Sequence, residues 1–220
     1  MKRALIIGGH GKVALLAAPL LAEKGWSVAG AARNPDHAAD IEAAGAEFVE
    51  ADVERMSPEQ LANLVADYDA VVWSAGAGGG SPERTQAVDR EAAVQTVEAA
   101  MNRGVRRFLM VSYFGASQEH GVPEDNDFHT YAQAKADADD HLRSSPLDWT
   151  ILGPSMLTED EPSGKIDVRL DRKDSTLEGG KVSRGNVARV IAETLGDQNT
   201  HGLTIEFNDG SSPIAEHPWA

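Results

Sequence analysis

Arg3-Ala4-Leu5-Ile6-Ile7-Gly8-Gly9-His10-Gly11-Lys12-Val13-Ala14 is an apolar run that stops at glycines and restarts with helical spacing at Val13, Leu16, Leu20 and Leu21. That order reads as strand, tight turn, helix. Gly8 suits the sharp turn, and Gly11 lets a pyrophosphate approach the backbone in front of the helix amino terminus. Ala14 stands where a third glycine often lies. Pro19 falls inside the helix and predicts a bend, since a mid-helix proline removes one hydrogen bond.

Outward from this turn the unit repeats. Strands are expected at Trp26–Ala32, Ala46–Ala51, Asp69–Ala75, Arg107–Ser112 and Trp149–Leu152. Helices are expected between them at Asp36–Ala44, Pro58–Ala66 (capped by Ser57), Pro82–Asn102 and Phe128–Arg143. Near-continuous apolar strands separated by helices define a doubly wound α/β fold of the Rossmann type, with a mainly parallel sheet covered on both faces. Beyond Pro154 the pattern loosens, leaving strands at Ile166–Leu170 and Leu203–Phe207 around a helix at Gly185–Leu195. The whole chain, 1–220, reads as one NAD(P)-binding domain in which 154–220 walls the substrate side. Gly78-Gly79-Gly80 is its one low-complexity run.

Composition bounds the partners. Twenty Lys and Arg against 35 Asp and Glu leave a formal charge of −15, which repels nucleic-acid phosphates and anionic lipid heads. There is no cysteine, so no disulfide, thiolate nucleophile or cysteine metal site can form. The seven histidines are scattered without ligand spacing, and no metal is expected. Met1-Lys2-Arg3 and the following apolar residues imitate a secretory leader, but the Gly8–Gly11 turn interrupts them. A cytoplasmic protein, monomeric or a small homo-oligomer, that takes a small-molecule substrate is the expectation.

The dinucleotide is chosen at the end of the second strand. Ala31-Ala32-Arg33-Asn34 carries a guanidinium where NAD-binding chains carry a carboxylate, so Arg33, with Lys12 as a second cation, favours NADP over NAD. Arg33 as a solvated loop tip is the alternative. Gly8, Gly9, His10, Gly11, Lys12 and Val13 form the expected cofactor turn, with Asp52 and Val53 at the adenine edge. Asp52 as a plain helix-entry residue stands beside that reading. Ser74, Ala75 and Gly76 end the fourth strand with small residues that admit the cofactor ribose and diphosphate, and Pro154 closes the sixth.

Tyr131 and Lys135 stand at i and i+4 on one helix face, so their head groups reach one small volume. A nearby ammonium stabilises a phenolate, and a phenol so tuned exchanges a proton with a carbonyl oxygen as hydride moves. Ser112, at the carboxyl end of the fifth strand, is a candidate partner for the substrate oxygen or the nicotinamide. Asp137 and His141 share a face, as an exposed ion pair or as two solvated groups rather than as metal ligands, and Glu124-Asp125-Asn126-Asp127 and Glu159-Asp160-Glu161 read as solvated loops. If an acidic loop lines the pocket entrance, it disfavours polyanionic substrates.

Taken together, Gly8–Ala14, Arg33-Asn34-Pro35, Ala51-Asp52-Val53, Gly104-Val105-Arg106-Arg107-Phe108, Val111-Ser112, Tyr131–Lys135 and Leu147–Leu152 resemble the atypical short-chain dehydrogenase/reductases, in their NAD-dependent epimerase/dehydratase-like branch. The resemblance runs on through Val182–Ala188 and Pro213–Glu216. It implies a seven-stranded sheet, Tyr131 as the acid-base group and Lys135 holding the nicotinamide ribose. Two departures bear on the substrate: Gly153-Pro154-Ser155 replaces the branch's Arg-Pro-Gly, and Phe114 stands near where relatives keep a catalytic serine. An oxidoreductase acting on a small carbonyl, flavin-like or quinone-like acceptor follows, with a non-catalytic NADP(H)-binding redox sensor as the alternative.

Overall fold

A computed structural model describes residues 1–77, 81–171 and 176–219; the triple-glycine run Gly78-Gly79-Gly80 lies outside them. Strand β1 (Lys2–Ile7) runs through the Gly8–Gly11 turn into α1 (Lys12–Glu23), which continues past Pro19 on its exposed face. The chain then lays down β2 (Trp26–Ala32), α2 (Ala38–Ala43), β3 (Glu47–Glu50), α3 (Pro58–Val65) and β4 (Ala70–Trp73). Ser57 and Gln60 make a reciprocal capping box at the start of α3, so the expected cap is present.

The long fourth helix is composite. It opens as α4 (Pro82–Thr85), widens to π geometry over Gln86–Ala92, and continues as α5 (Ala93–Arg103) to a left-handed Gly104. The π stretch carries Asp89, which a uniform α-helix would present differently. Strand β5 (Arg107–Val111), α6 (His129–Ser144) and β6 (Asp148–Pro154) complete the core alternation.

The sheet has nine strands rather than the seven that the resemblance implies, in the order β11-β8-β10-β6-β5-β4-β1-β2-β3. The tail supplies the seventh parallel strand, β10 (Leu203–Asp209), and the two extra ones, β8 (Lys165–Leu170) and β11 (Ser212–Pro213). Strand β10 pairs parallel with β6, whereas β8 and β11 add an antiparallel edge. A separate two-stranded sheet joins β7 (Met156–Thr158) to β9 (Lys181–Ser183), just before α7 (Arg184–Thr194). These short strands have too few residues to show a period in the sequence.

Residues of β1 alternate between two cores. Ala4 and Ile6 join α1 and α7 on one face, and Leu5 and Ile7 join α3 and α5 on the other. Burial on both faces is why the strand reads as continuous apolar sequence. The chain moves outward from β1 through β2 to β3, then returns on the other side through β4 and β5. The reversal places a crevice beyond the carboxyl ends of β1 and β4, where open α/β sheets bind their ligands.

Two glycines set the closeness of that crevice. Gly8 has φ +85°, and a Cβ there would lie 2.7 Å from Ala75 Cα. At Gly9 a Cβ would lie 2.5 Å from Gly30 Cα, backbone against backbone, with no flexible side chain to yield. Gly9→Ala should therefore lower stability by about 1–3 kcal/mol through overpacking, read from chemical denaturation. Gly45→Asn, at a glycine of φ +82° with nothing within 4 Å, is the control and should cost clearly less. Equal losses in the two variants would refute the close-packing account.

Candidate active site across the strand ends

Two contiguous lobes share Gly11, Ser74, Ala75 and Gly76 and together cross the carboxyl ends of the central strands. The first, about 320 Å³, is walled by Gly8, His10, Arg33, Asp52, Val53 and Arg84, among others. The second, about 1470 Å³, holds Val13, Ser112, Tyr131, Lys135 and Pro154. Every expected site residue except Gly9 therefore lines one lobe or the other. Gly9 faces Gly30 instead, so its missing side chain serves packing rather than ligand approach.

At the turn, Gly11 caps α1 without any side-chain hydrogen bond, whereas Ser57, Ser81 and Ser183 cap α3, α4 and α7. The amino-terminal amides of α1 are thus left to face the cleft. At Gly11 an added Cβ would press on the Gly8 carbonyl oxygen at 3.1 Å, so the tight turn itself favours glycine there. This cradle fits a dinucleotide diphosphate.

The first lobe gathers groups that local spacing did not show. Arg33 and Arg84 each lie 3.6 Å from the Glu54 carboxylate, from opposite segments. His10 stacks on His37 at 3.6 Å and contacts Asp40 at 2.8 Å. Arg84 and Glu54 were invisible to motif reading because they come from the α4 opening and the post-β3 turn. Lys12, expected to assist Arg33, belongs to the other lobe. Its ammonium pairs with Glu159 at 2.6 Å, and Arg184 reaches the same carboxylate oxygen at 3.1 Å. The first residue of α1 points along the helix entrance toward β7, not back toward β2. Glu159 is accordingly an ion-pair partner rather than a simply solvated residue.

In the second lobe, α6 lines up Tyr131, Lys135 and Asp139 at i, i+4 and i+8. Lys135 is buried and donates to the Val111 carbonyl at 2.8 Å. Ser112 Oγ donates to Asp139 Oδ2 at 2.6 Å, while Asp139 Oδ1 has no hydrogen-bond partner among the described residues. Asp89, on the π stretch, accepts from the Ala77 amide at 3.0 Å. The extended i+8 spacing was the available signal for Asp139; Asp89 had none.

Burial raises the Asp139 carboxyl to about 6, opposed by the Lys135 charge and the Ser112 hydrogen bond. Burial likewise raises Asp89, again opposed by Lys135. Tyr131 differs from the sequence expectation: burial first, then Asp89 and Asp139, push its phenol above the ordinary tyrosine value. The Lys135 charge is absorbed by the two carboxylates and the Val111 carbonyl, so it does not lower the phenol in the protein alone. Tyr131 is consequently a fully protonated donor at neutral pH. Ser112 presents its lone pairs to the cleft while Asp139 is ionised, because its hydroxyl proton is committed.

Both departures from the branch pattern have a packing cause. A Cβ at Gly153 would lie 2.8 Å from Glu206 Cγ and 3.2 Å from the Tyr113 carbonyl oxygen, leaving no room for arginine. Glu206 is buried, accepts from the Gly115 amide at 2.7 Å, and pairs at 2.7 Å with Arg169. The Arg169 guanidinium then stacks 4.4 Å over Phe114. A guanidinium therefore comes to this corner from β8 instead of β6. Asp137 and His141 each find another partner instead of one another: Asp137 pairs with Arg90 and His141 with Glu98.

These features define a Rossmann protein whose cleft is built for a nicotinamide dinucleotide. The chain belongs to the NAD(P)H-binding family, which it matches over residues 8–198. It is 33% identical to the uncharacterised sugar epimerase YhfK of Bacillus subtilis over 97% of either chain. A Bacillus halodurans protein provisionally classed as an NAD-dependent epimerase/dehydratase superposes with a TM-score of 0.88, at 33% identity over 98% of each chain. The oxidoreductase ylbE of Lactococcus lactis superposes with a TM-score of 0.82, at 26% identity over 97% of this chain and 94% of its own. The resemblance to the atypical short-chain dehydrogenase/reductases holds, and the family is oxidoreductase-like. Among the described residues, no helix is long and apolar enough to cross a membrane.

Asp139 yields a stability test. Its folded value of about 6 lies above the ordinary 3.8, so its contribution is fully present below about pH 4 and is lost as pH rises through 6. Asp139→Asn cannot ionise and escapes that loss. Its stability relative to wild type should rise by on the order of 3 kcal/mol between about pH 4 and pH 7 in urea titrations. A pH-independent difference would mean that Asp139 titrates normally.

Proposed function

We propose that the chain is an NADP(H)-dependent oxidoreductase of the short-chain type acting on a small carbonyl, flavin-like or quinone-like acceptor. The observation that carries this reading is the continuity of the cleft. One crevice runs from Arg33 and Arg84, past the uncapped start of α1, to Tyr131 and Lys135. Arg33 and Arg84 would hold the 2′-phosphate, and the α1 amides with Lys12 the diphosphate. Lys135 would meet the nicotinamide ribose. When bound, the reduced nicotinamide supplies hydride to the acceptor and becomes NADP⁺. Tyr131 gives its phenolic proton to the acceptor oxygen and regains one from solvent, so each turnover consumes one NADPH and one proton.

A second reading, an NADP(H)-binding redox sensor without chemistry, is favoured by the absorption of the Lys135 charge, which leaves Tyr131 unactivated before ligand arrives. A panel of acceptors with NADPH, followed by loss of reduced-cofactor absorbance and product formation, separates the two. Sustained oxidation supports catalysis; binding without oxidation supports sensing.

Within the catalytic reading, Tyr131→Phe should lower kcat by about a hundredfold or more while leaving the NADPH dissociation constant within about twofold. A fully active variant would remove Tyr131 as the acid. Arg33→Ala should weaken NADPH roughly tenfold, with little change for NADH, in calorimetric titration. Equal affinities for the two nucleotides, unmoved by the substitution, would overturn the NADP preference.

A further inference from the structure

Five large hydrophobic side chains among the described residues are conspicuously exposed, and three of them, Phe128, Met156 and Leu157, line the larger lobe. Phe128 enters from the head of α6 and the other two from β7, so the apolar surfaces come from separate elements. Phe128 also belongs to an aromatic triad: its ring centroid lies 5.2 Å from Tyr131 and 5.3 Å edge-on from Tyr113, and those tyrosines are 5.7 Å apart. Exposed apolar surface gathered in a concave site is most readily explained by a ligand that covers it.

Charge is sorted along the same lobe. Glu124, Asp125 and Asp127, all exposed, form its margin immediately before Phe128. The cations Lys12 and Arg184 lie at the α1 end, where they already share Glu159. An anion entering beside the aromatic triad therefore meets three carboxylates in a chain that is already strongly acidic. A flat uncharged or cationic molecule meets rings and no repulsion.

We infer that the larger lobe selects planar aromatic molecules that are uncharged or cationic, with Phe128 as the stacking surface and Glu124, Asp125 and Asp127 as an electrostatic filter against anions. This deepens the oxidoreductase reading and rests on it for the identification of such molecules as hydride acceptors. The filter is a specificity device and is not part of the proton-transfer chemistry.

The test compares a methylated naphthoquinone with its sulfonated analogue, in NADPH oxidation and in fluorescence-monitored binding to the NADP⁺-loaded protein. Wild type should favour the uncharged quinone. Joint Glu124→Gln, Asp125→Asn and Asp127→Asn substitution should narrow that preference roughly tenfold, as should raising the salt concentration. Phe128→Ala should weaken both quinones about tenfold, with NADPH affinity unchanged as the control for folding. Equal or better use of the sulfonated compound by wild type, or a preference unmoved by neutralising the three acids, would overturn the inference. Should neither quinone oxidise NADPH, the oxidoreductase reading suffers, while the binding preference still decides the filter on its own.

Discussion

Backbone lies against backbone where β1 ends, and the rest of the site is positioned by that contact. Gly8 abuts Ala75 at the end of β4, and Gly9 abuts Gly30 in β2, each without room for one further carbon. The turn is consequently wedged between the two strands that flank β1. Its amides at Gly8 and Gly9 both donate to the Ala31 carbonyl, and Gly11 donates to Gly8, which fixes the direction in which α1 departs. A looser turn would still satisfy the hydrophobic pattern, but it would not deliver an uncapped helix start to the switch point of the sheet. Glycine at these positions reflects steric limits that hold with or without a ligand, and Gly11 shares them more mildly, with the Gly8 carbonyl oxygen 3.1 Å from where a Cβ would lie.

The second constraint is electrostatic and works against stability. Lys135, Asp89 and Asp139 are each almost completely removed from solvent, and one Asp139 oxygen has no partner among the described residues. Burying charged groups is costly, and mutual attraction often fails to offset the desolvation. Here the Lys135 ammonium faces two carboxylates, with Arg84 acting more weakly on Asp89 and Arg143 on Asp139, and burial still pushes both acids toward the protonated form. Carboxylates so poorly compensated would gain from a further positive charge arriving in the proposed reaction. Oxidised nicotinamide carries that charge. The carboxylates that, after burial, hold the Tyr131 phenol protonated would then be offset by it, and the phenol would become easier to ionise.

Much of the fold was legible because β1, β2, β4 and β5 are buried on both faces and so read as uninterrupted apolar runs between helices. The Gly8–Gly11 turn and the Tyr131–Lys135 spacing were legible for a related reason, since each is fixed by a few bonds of local chain. The strand at β8 was legible but its place in the sheet was not, because its pairing with β10 and that of β11 with β8 join distant chain segments rather than follow a local period. Side-chain destinations were least legible. Lys12 lies one residue from the turn, yet its partner Glu159 is 147 positions away. Arg33 and Arg84 meet at Glu54 only after α2 and α3 have been wound. Gly153 read as a lost arginine, whereas the folded chain shows the space occupied by Glu206 and a guanidinium restored nearby by Arg169.

Charge distribution along the cleft gives these separate details a common physical sense. A chain of formal charge −15 should repel a polyanionic nucleotide at long range. At ionic strengths near those of a cell, however, interactions decay over about 8 Å, so the local arrangement decides. Arg33, Arg84, Lys12 and Arg184 are collected where phosphates would lie, each already held by Glu54 or Glu159. The carboxylates Glu124, Asp125 and Asp127 are collected at the opposite margin. Pairing each cation with an acid keeps the groups ordered, and a phosphate would need only to replace the half-buried Glu54 or the exposed Glu159 carboxylate rather than organise free side chains. In the proposed reaction, one cleft would then attract anions at the nucleotide end and reject them at the aromatic end, directing the two reactants to different places.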